Sequence, residues 1–487
     1  MTRDSRRHLL WQAVGRHLEE GRGSEAAVRA GPRSLSYAEL AVAADAGASA
    51  LDDRFAPGAR VVIAARNQLH VGLALAACLR SRALPLLADP TSPERVAGIA
   101  RRWRAAGAIA EPALLAGSAI PVVDAADSEH WLGNRARSFE PPGVADDEPA
   151  FWTFTSGTTG EPRAVVHGHR GPRAAFAAFG ERVLRLGPED VTIATGGLPF
   201  VYVLGTSFFF PLFAGGATVL PADLLLPTVL GEAAAHGATV LAGGPWSLAA
   251  IAALARRPRW TACLRNLRLV LSAGEPLPPR VFDEWRSRFG KELLDNLGCT
   301  EMFNSFLSSV PGAARAGSVG RVVPGYEVRV GGGPPVPGAR GPLHVRGESR
   351  AIATSRGGEP EPVLTAWCET GDEVAVADDG SFAFVGRLDD RFKSRGRFVH
   401  PLEIERRLLE VDGAEDCLVT CECDARGVAV PVARVVPAAN VDRGALVGAL
   451  VRHARSVLEA HQVPARIELA DRLSRSARGK LARPRPS

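Results

Sequence analysis

Lysine is nearly missing from this chain: Lys291, Lys393 and Lys480 are its only lysines, although lysines and arginines together number 58 in 487 residues. Arginine keeps its charge but cannot serve as a compact, rotatable point donor, so the surviving lysines should include positions where arginine fails, although Lys291, before a strand and outside any motif, is expected to be a solvated surface residue. No apolar run is long enough to span a bilayer. The opening Met1–His8 leads toward Glu19 and Glu20 instead of an apolar signal core, so neither a membrane protein nor an exported one is expected and the cytoplasm is the expected location. Seven scattered cysteines do not make a disulfide framework. Cys417, Cys421 and Cys423 would share one face of a strand, without the fourth ligand or Cys-x-x-Cys spacing of a zinc site, so a buried strand face is expected there. The formal charge of +5 is spread along the chain. With no basic stripe and no interleaved aromatics, nucleic acid is not the expected partner, whereas an acidic small ligand or an acidic carrier protein suits this balance.

What is present has the composition of a soluble globular protein, 46% hydrophobic and 23% charged. The length exceeds what one core supports, so at least two domains are expected. Helical periodicity over Leu9–Glu20 and from a Ser36 cap alternates with short apolar strands at Val61–Ala65, Leu84–Leu87 and Gly107–Ala110. The alternation continues at Val191–Ala194, Ala217–Leu220, Thr239–Ala242 and Leu267–Ser272, which predicts an α/β fold with parallel strands. From Gly320 the texture turns to glycine, proline and short alternating strands, a β-rich lobe. A charged junction at Gly386–Gly396 then leads to a small α+β unit.

The densest chemistry lies at Thr153–Arg163. Apolar Phe151, Trp152 and Phe154 end a strand, and Thr155, Ser156, Gly157, Thr158, Thr159 and Gly160 then offer hydroxyl and backbone donors to an anion, with Arg163 as a fixed charge. Alone, this is a glycine-rich hairpin turn. It lacks the Gly-Lys-Ser/Thr of a P-loop NTPase. Ser272-Ala273-Gly274-Glu275-Pro276 sits where a strand ends, a place where ligands of α/β folds gather. Asp295-Asn296-Leu297-Gly298-Cys299-Thr300-Glu301 carries a hydroxyl and a carboxylate, and Glu301 suits a hard divalent cation held partly by substrate phosphates. Asp372, in Thr370-Gly371-Asp372, is placed in a turn where its carboxylate can accept from two ribose hydroxyls.

In order and type, these motifs resemble those of the adenylate-forming superfamily, which contains acyl-CoA synthetases, peptide-synthetase adenylation domains and luciferases. The resemblance runs from about Tyr37 to Lys480 and is most specific at Gly386–Gly396, which continues into Val399-His400-Pro401-Leu402-Glu403. It implies an adenylation domain over residues 1–388, with mixed and parallel sheets and a β-rich lobe, and a small mobile α+β lid over 389–487. It also implies ATP, Mg2+ and a thiol acceptor as reactants. Thr300 and Glu301 would meet the phosphate and magnesium, Arg387 the nucleotide, and Asp389 the hinge. Lys393 and Gly396 would present the face used in thioester formation. Lys480, in Ser476-Ala477-Arg478-Gly479-Lys480, would stabilise charge during adenylation. The family usually has lysine where Arg163 stands.

Within the superfamily the chain most resembles benzoate-type aryl-CoA ligases, through Leu198–Gly205, Phe210–Ala217 and Glu301–Ser308. This implies an acid pocket containing Val201, Tyr202, Gly298, Asn304 and Ser305, with Tyr202 against the substrate ring. Asn304 and Ser305 replace an imidazole and a bulky aliphatic residue often found there. A hydroxy- or amino-substituted ring is therefore expected, since a buried Asn and Ser would want partners; the alternative is that they bond each other or backbone. No carboxylate in Val201–Thr206 awaits an α-amino group. The acceptor is CoA or the pantetheine of an acyl or aryl carrier protein, and seven residues after Lys480 leave no carrier domain expected on this chain. An enzyme of only one half-reaction and a non-catalytic acyl-adenylate-binding protein are the alternatives, and a homodimer is left open.

Overall fold

The computed structural model describes residues 4–133, 139–156, 162–424 and 428–475. Two compact units emerge: Met1–Glu327 with Val345–Cys368, and Val328–His344 with Glu369–Ser487.

The first unit holds two large sheets. One has eight strands, at whose centre Arg60–Ala64, Leu84–Leu87 and Gly107–Ala110 run parallel. These are continuous apolar runs because both faces are covered. Trp103, Trp152 and Phe154 fill the core beside them. Pro149–Ser156 and Pro162–Gly168 form an antiparallel pair in this sheet, and Thr155 faces Arg163 in register. The nine-stranded sheet contains Val191–Ala194, Val240–Gly243, Leu269–Ala273 and Leu293–Gly298, all parallel. Its last parallel pair sets Ser272 opposite Asp295 and Ala273 opposite Asn296. Two motifs far apart in sequence therefore end side by side. Leu293–Gly298 then pairs antiparallel with Ser305–Ser308, placing Asn296 opposite Ser308 and Gly298 opposite Ser305.

Local signals account for much of this. Ser36 caps the helix Tyr37–Asp52 as half of a capping box: its hydroxyl accepts from the Glu39 N–H while Glu39 returns to the Ser36 N–H. The predicted Leu9–Glu20 helix forms as a π-helical turn, Trp11–Gly15, running into Arg16–Glu19.

The second unit contains the strand order Glu327–Val330, Arg340–Arg346, Cys368–Val376, Phe382–Arg387. Beyond it lie the hairpin Phe392–Ser394/Arg397–Val399 and a three-stranded sheet packed on helices Pro401–Leu408 and Arg443–Val457. Cys417, Cys421 and Cys423 do share a strand, Ala414–Cys423; Cys417 is buried and Cys423 exposed because the face runs out of the core at the strand's end. Two expectations are corrected. Asp372 lies within the strand Cys368–Val376, not in a turn, and the sharp feature is the preceding Gly371 at φ +73°. Lys291 is not merely solvated: its ammonium donates to the carbonyls of Arg265 and Leu267, tying down the chain that enters a core strand.

Candidate active site

Thr155 and Arg163 flank the residues where the anion loop was expected. Ser156 ends its strand, while Gly157, Thr158, Thr159 and Gly160, like Lys480, lie outside the described residues. Arg163 forms an ion pair with Glu301, so two predicted phosphate-side residues meet directly. Burial lowers the Arg163 pKa, with Arg356 adding to that effect. Glu301 belongs to the 3-10 turn Thr300–Met302, entered through extended Cys299. On the neighbouring strand end, the fully buried Ser272 hydroxyl has no hydrogen-bond partner among the described residues, and Gly274 turns the chain at φ +90°. Ala273 closes that strand; Glu275 and Pro276 follow in the connecting loop.

Sequence patterns did not reveal what holds this turn. Phe303 follows it with φ +63° and ψ −38°, a positive-φ conformation that costs a bulky residue about 1–3 kcal/mol. Its fully buried ring contacts Phe151, Phe209, Phe210 and His167, so packing enforces the backbone. His167 stacks on Phe151 at 5.2 Å, and burial lowers its pKa to about 3. The imidazole is therefore a neutral packing element at pH 7. The only hint in the sequence was the clustering of Phe208, Phe209 and Phe210, which is equally consistent with ordinary core.

Val201 and Tyr202 lie on the short helix Val201–Leu204. Asn304, 2% exposed, turns its amide to the protein: Nδ2 donates to the Tyr202 carbonyl at 3.3 Å, and Oδ1 accepts from the Ser305 N–H at 2.9 Å and the Ser305 hydroxyl at 3.2 Å. Asn304 and Ser305 thus satisfy each other and backbone. Two glycines make this clasp possible. A Cβ on Gly205 would stand 2.3 Å from Asn304 Nδ2, and one on Gly298 would stand 2.4 Å from the Asn304 carbonyl oxygen. Asn296, expected on the nucleotide side, turns its amide to Tyr202 Oη at 3.3 Å and to the Leu294 carbonyl at 3.0 Å. Asp295 is buried beside it in the strand and Leu297 half-buried.

In the second unit, Arg387 donates to the Asp372 carboxylate at 2.7 Å and to the Thr370 carbonyl at 2.9 Å. Burial opposes the Arg387 charge, but Asp372, Asp389 and Asp390 outweigh it and raise the pKa. Glu373, which no motif singled out, is tied to Arg340 at 2.7 Å, His400 at 3.0 Å and Arg391 at 3.3 Å. Asp389 lies in the 3-10 turn Leu388–Asp390. Lys393 is exposed on the hairpin, its ammonium 5.2 Å from the Phe398 ring centre, and Gly396 occupies the tip at φ +81°. No described cluster of three or more histidine, cysteine, aspartate or glutamate side chains would hold a metal unaided, and no described helix is long and apolar enough to cross a membrane.

Comparison with known proteins places this geometry. The profile of the AMP-binding enzyme family matches residues 16–353, and that of the AMP-binding enzyme C-terminal domain matches 403–480. A 4-hydroxybenzoate–CoA/benzoate–CoA ligase of Rhodopseudomonas palustris is 30% identical over 500 residues, covering 96% of this chain and 92% of that protein. A p-hydroxybenzoic acid–AMP ligase of Mycobacterium marinum is 33% identical over 442 residues; the match covers 88% of this chain but only 61% of that relative. The solved benzoate CoA ligase of Burkholderia xenovorans superposes with a TM-score of 0.85 at 27% identity, covering 97% of this chain and 98% of that one. The chain belongs to the AMP-binding enzyme family, the adenylate-forming enzymes, and lies close to its aryl-CoA ligases.

Proposed function

We propose that the protein activates an aryl carboxylic acid with ATP and transfers the acyl group to coenzyme A. The observation that carries this is the meeting, at two adjacent strand ends, of the Ser272–Pro276 segment with Asp295–Glu301. The acid-pocket clasp and the Arg163–Glu301 pair belong to the same compact unit. In the first half-reaction a carboxylate oxygen of the acid attacks the α-phosphorus of ATP and pyrophosphate leaves, giving an acyl-adenylate. Arg163, Lys480 and the Thr155–Gly160 loop would stabilise the charge that grows on the phosphate oxygens. In the second, a thiol attacks the acyl carbon and AMP leaves. Asp372 and Arg387 would hold the ribose and nucleotide.

The donor set fits magnesium. A single carboxylate, Glu301, beside the Thr300 hydroxyl matches a hard cation bound chiefly by phosphate oxygens and water, and the ion would supply charge neutralisation there. Glu301 would share its carboxylate with Arg163 or leave it to take that role. Asp389 would be the hinge between domains 1–388 and 389–487, and the Lys393–Gly396 face would guide the thiol. All seven cysteines are free thiols, which suits a reducing cytoplasm.

Incubation with a panel of aryl and aliphatic acids, ATP, magnesium and CoA, with products identified by mass, tests the reading. An aryl-CoA product is expected, and an aliphatic thioester with no aryl product would refute it. A second reading, in which the chain only adenylates or loads a carrier protein, draws support from its likeness to the mycobacterial AMP ligase. Accumulation of acyl-AMP despite CoA would favour it.

A further inference from the structure

The polar groups around Tyr202 have a direction. Asn296 Nδ2 lies 3.0 Å from the Leu294 carbonyl oxygen, which can only accept, and this fixes the orientation of the amide. Its Oδ1 correspondingly lies 2.5 Å from the hydroxyl of Ser308, the residue directly across the strand pair, and the single hydrogen of that hydroxyl is shared with the Ser309 carbonyl at 2.6 Å. The same Nδ2 faces Tyr202 Oη at 3.3 Å, so Asn296 gives this hydrogen bond and the phenol accepts it. Tyr202 therefore keeps its own proton to give, and no described group takes it. The neighbouring polar side chains do not compete: Thr206 and Asn304 both bond the Tyr202 backbone carbonyl. Burial raises the phenol's pKa, so it remains a donor throughout the physiological range.

We propose that Tyr202 selects the acid by donating its hydroxyl hydrogen to an oxygen on the aryl ring, and that Asn296, anchored by Ser308 and the Leu294 carbonyl, sets this polarity. The inference rests on the aryl-acid reading above and sharpens it. Hydroxy- and alkoxybenzoates carry a suitable acceptor oxygen. An aminobenzoate does not: its nitrogen lone pair is drawn into the ring and its N–H groups would meet the Tyr202 O–H donor to donor. Buried donors left facing each other are the situation that binding sites discriminate against most effectively. The Asn304 Oδ1 and the Ser305 hydroxyl hydrogen are already paired with each other.

The test measures kcat/KM for acid-dependent ATP–pyrophosphate exchange with benzoate and with its hydroxy-, methoxy- and amino-derivatives at each ring position. The native enzyme should favour the best hydroxy or methoxy acid over the amino acid of the same pattern by about tenfold or more. Tyr202→Phe should bring that ratio to within about threefold, because neither substituent then meets a donor. Asn296→Asp should move it toward the amino acid, since a carboxylate would accept the phenolic hydrogen bond and leave the Tyr202 Oη lone pair facing the ring substituent as an acceptor. A ratio between two substrates of one preparation does not depend on how much of a variant is folded. An unchanged ratio in Tyr202→Phe, or a native preference for the amino acids, would overturn the role of Tyr202. Exchange with aliphatic acids alone would instead remove the aryl-acid reading on which it stands.

Discussion

The wall around Tyr202 and the charged residues of the phosphate and hinge regions manage polarity in opposite ways. In the wall, Asn296, Asn304, Ser305 and Ser308 are at most 4% exposed and bond one another or backbone. Neutral groups satisfied internally are cheap to bury and hold their shape, so the wall is preorganised. Among the charged residues, Glu301 holds Arg163 and Asp372 holds Arg387, although each was identified from sequence as a contact for nucleotide or metal. Such pairs neutralise charges in buried or half-buried positions, and on the proposed roles they would exchange partners when a phosphate or ribose arrives. On the proposed roles, the pocket's selectivity would rest on neutral contacts and the work on phosphates on the charged pairs.

Substitutions can break this contrast or sharpen it. The largest effect is expected from Lys480→Ala: pyrophosphate exchange should fall by about 10²–10³-fold, the usual consequence of losing a charge that meets the transition state. Exchange within a factor of three of the native rate would remove Lys480 from the adenylation step. Phe303→Ala should lower stability in urea unfolding by about 3 kcal/mol, the loss of a fully buried ring slightly relieved by the smaller residue's easier positive-φ backbone. A loss under about 1 kcal/mol would mean that the aromatic cluster does not hold the Thr300–Met302 turn.

Gly205→Ala forces a methyl against Asn304 Nδ2, so KM for the acid should rise by about tenfold while KM for ATP stays within about twofold. Equal rises in both would show that wall and phosphate side are not separately organised. A smaller effect is expected from acid. Burial lowers the pKa of His8 and His167 to about 3, and that of His169 well below 6.5. Between roughly pH 6.5 and 3 the unfolded chain therefore binds protons that the native state refuses, and stability must fall as pH falls, by up to about 1.4 kcal/mol per pH unit for each histidine. His167→Phe should flatten that slope by about one proton's worth in urea melts from pH 7 to 5. An unchanged slope would show that His167 takes up its proton without unfolding.

The parallel strands were legible because buried strands are continuous apolar runs, and the Ser36 cap because Ser36 and Glu39 stand at the spacing a capping box requires. Motif order was equally readable, so the family and the α/β fold could be stated before any coordinates, whereas the side-by-side ending of Ser272–Pro276 and Asp295–Glu301 came only with the strand pairing. The polar character of Asn304 and Ser305 was visible too, but not its direction. Hydrogen bonds depend on which atoms face each other, and only the register of Leu293–Gly298 against Ser305–Ser308, with the helix at Val201–Leu204, decided that Asn304 would turn to Ser305 and Asn296 to Tyr202. Glu373 shows the same division. Its charge is plain in the sequence, whereas its ties to Arg340, Arg391 and His400 join residues up to thirty-three positions away and exist only once the strands and the hairpin have closed. Composition and spacing record what a chain must bury and which local turns it can make; partner choice among polar side chains is settled by packing, because a shift of an ångström decides which donor meets which acceptor.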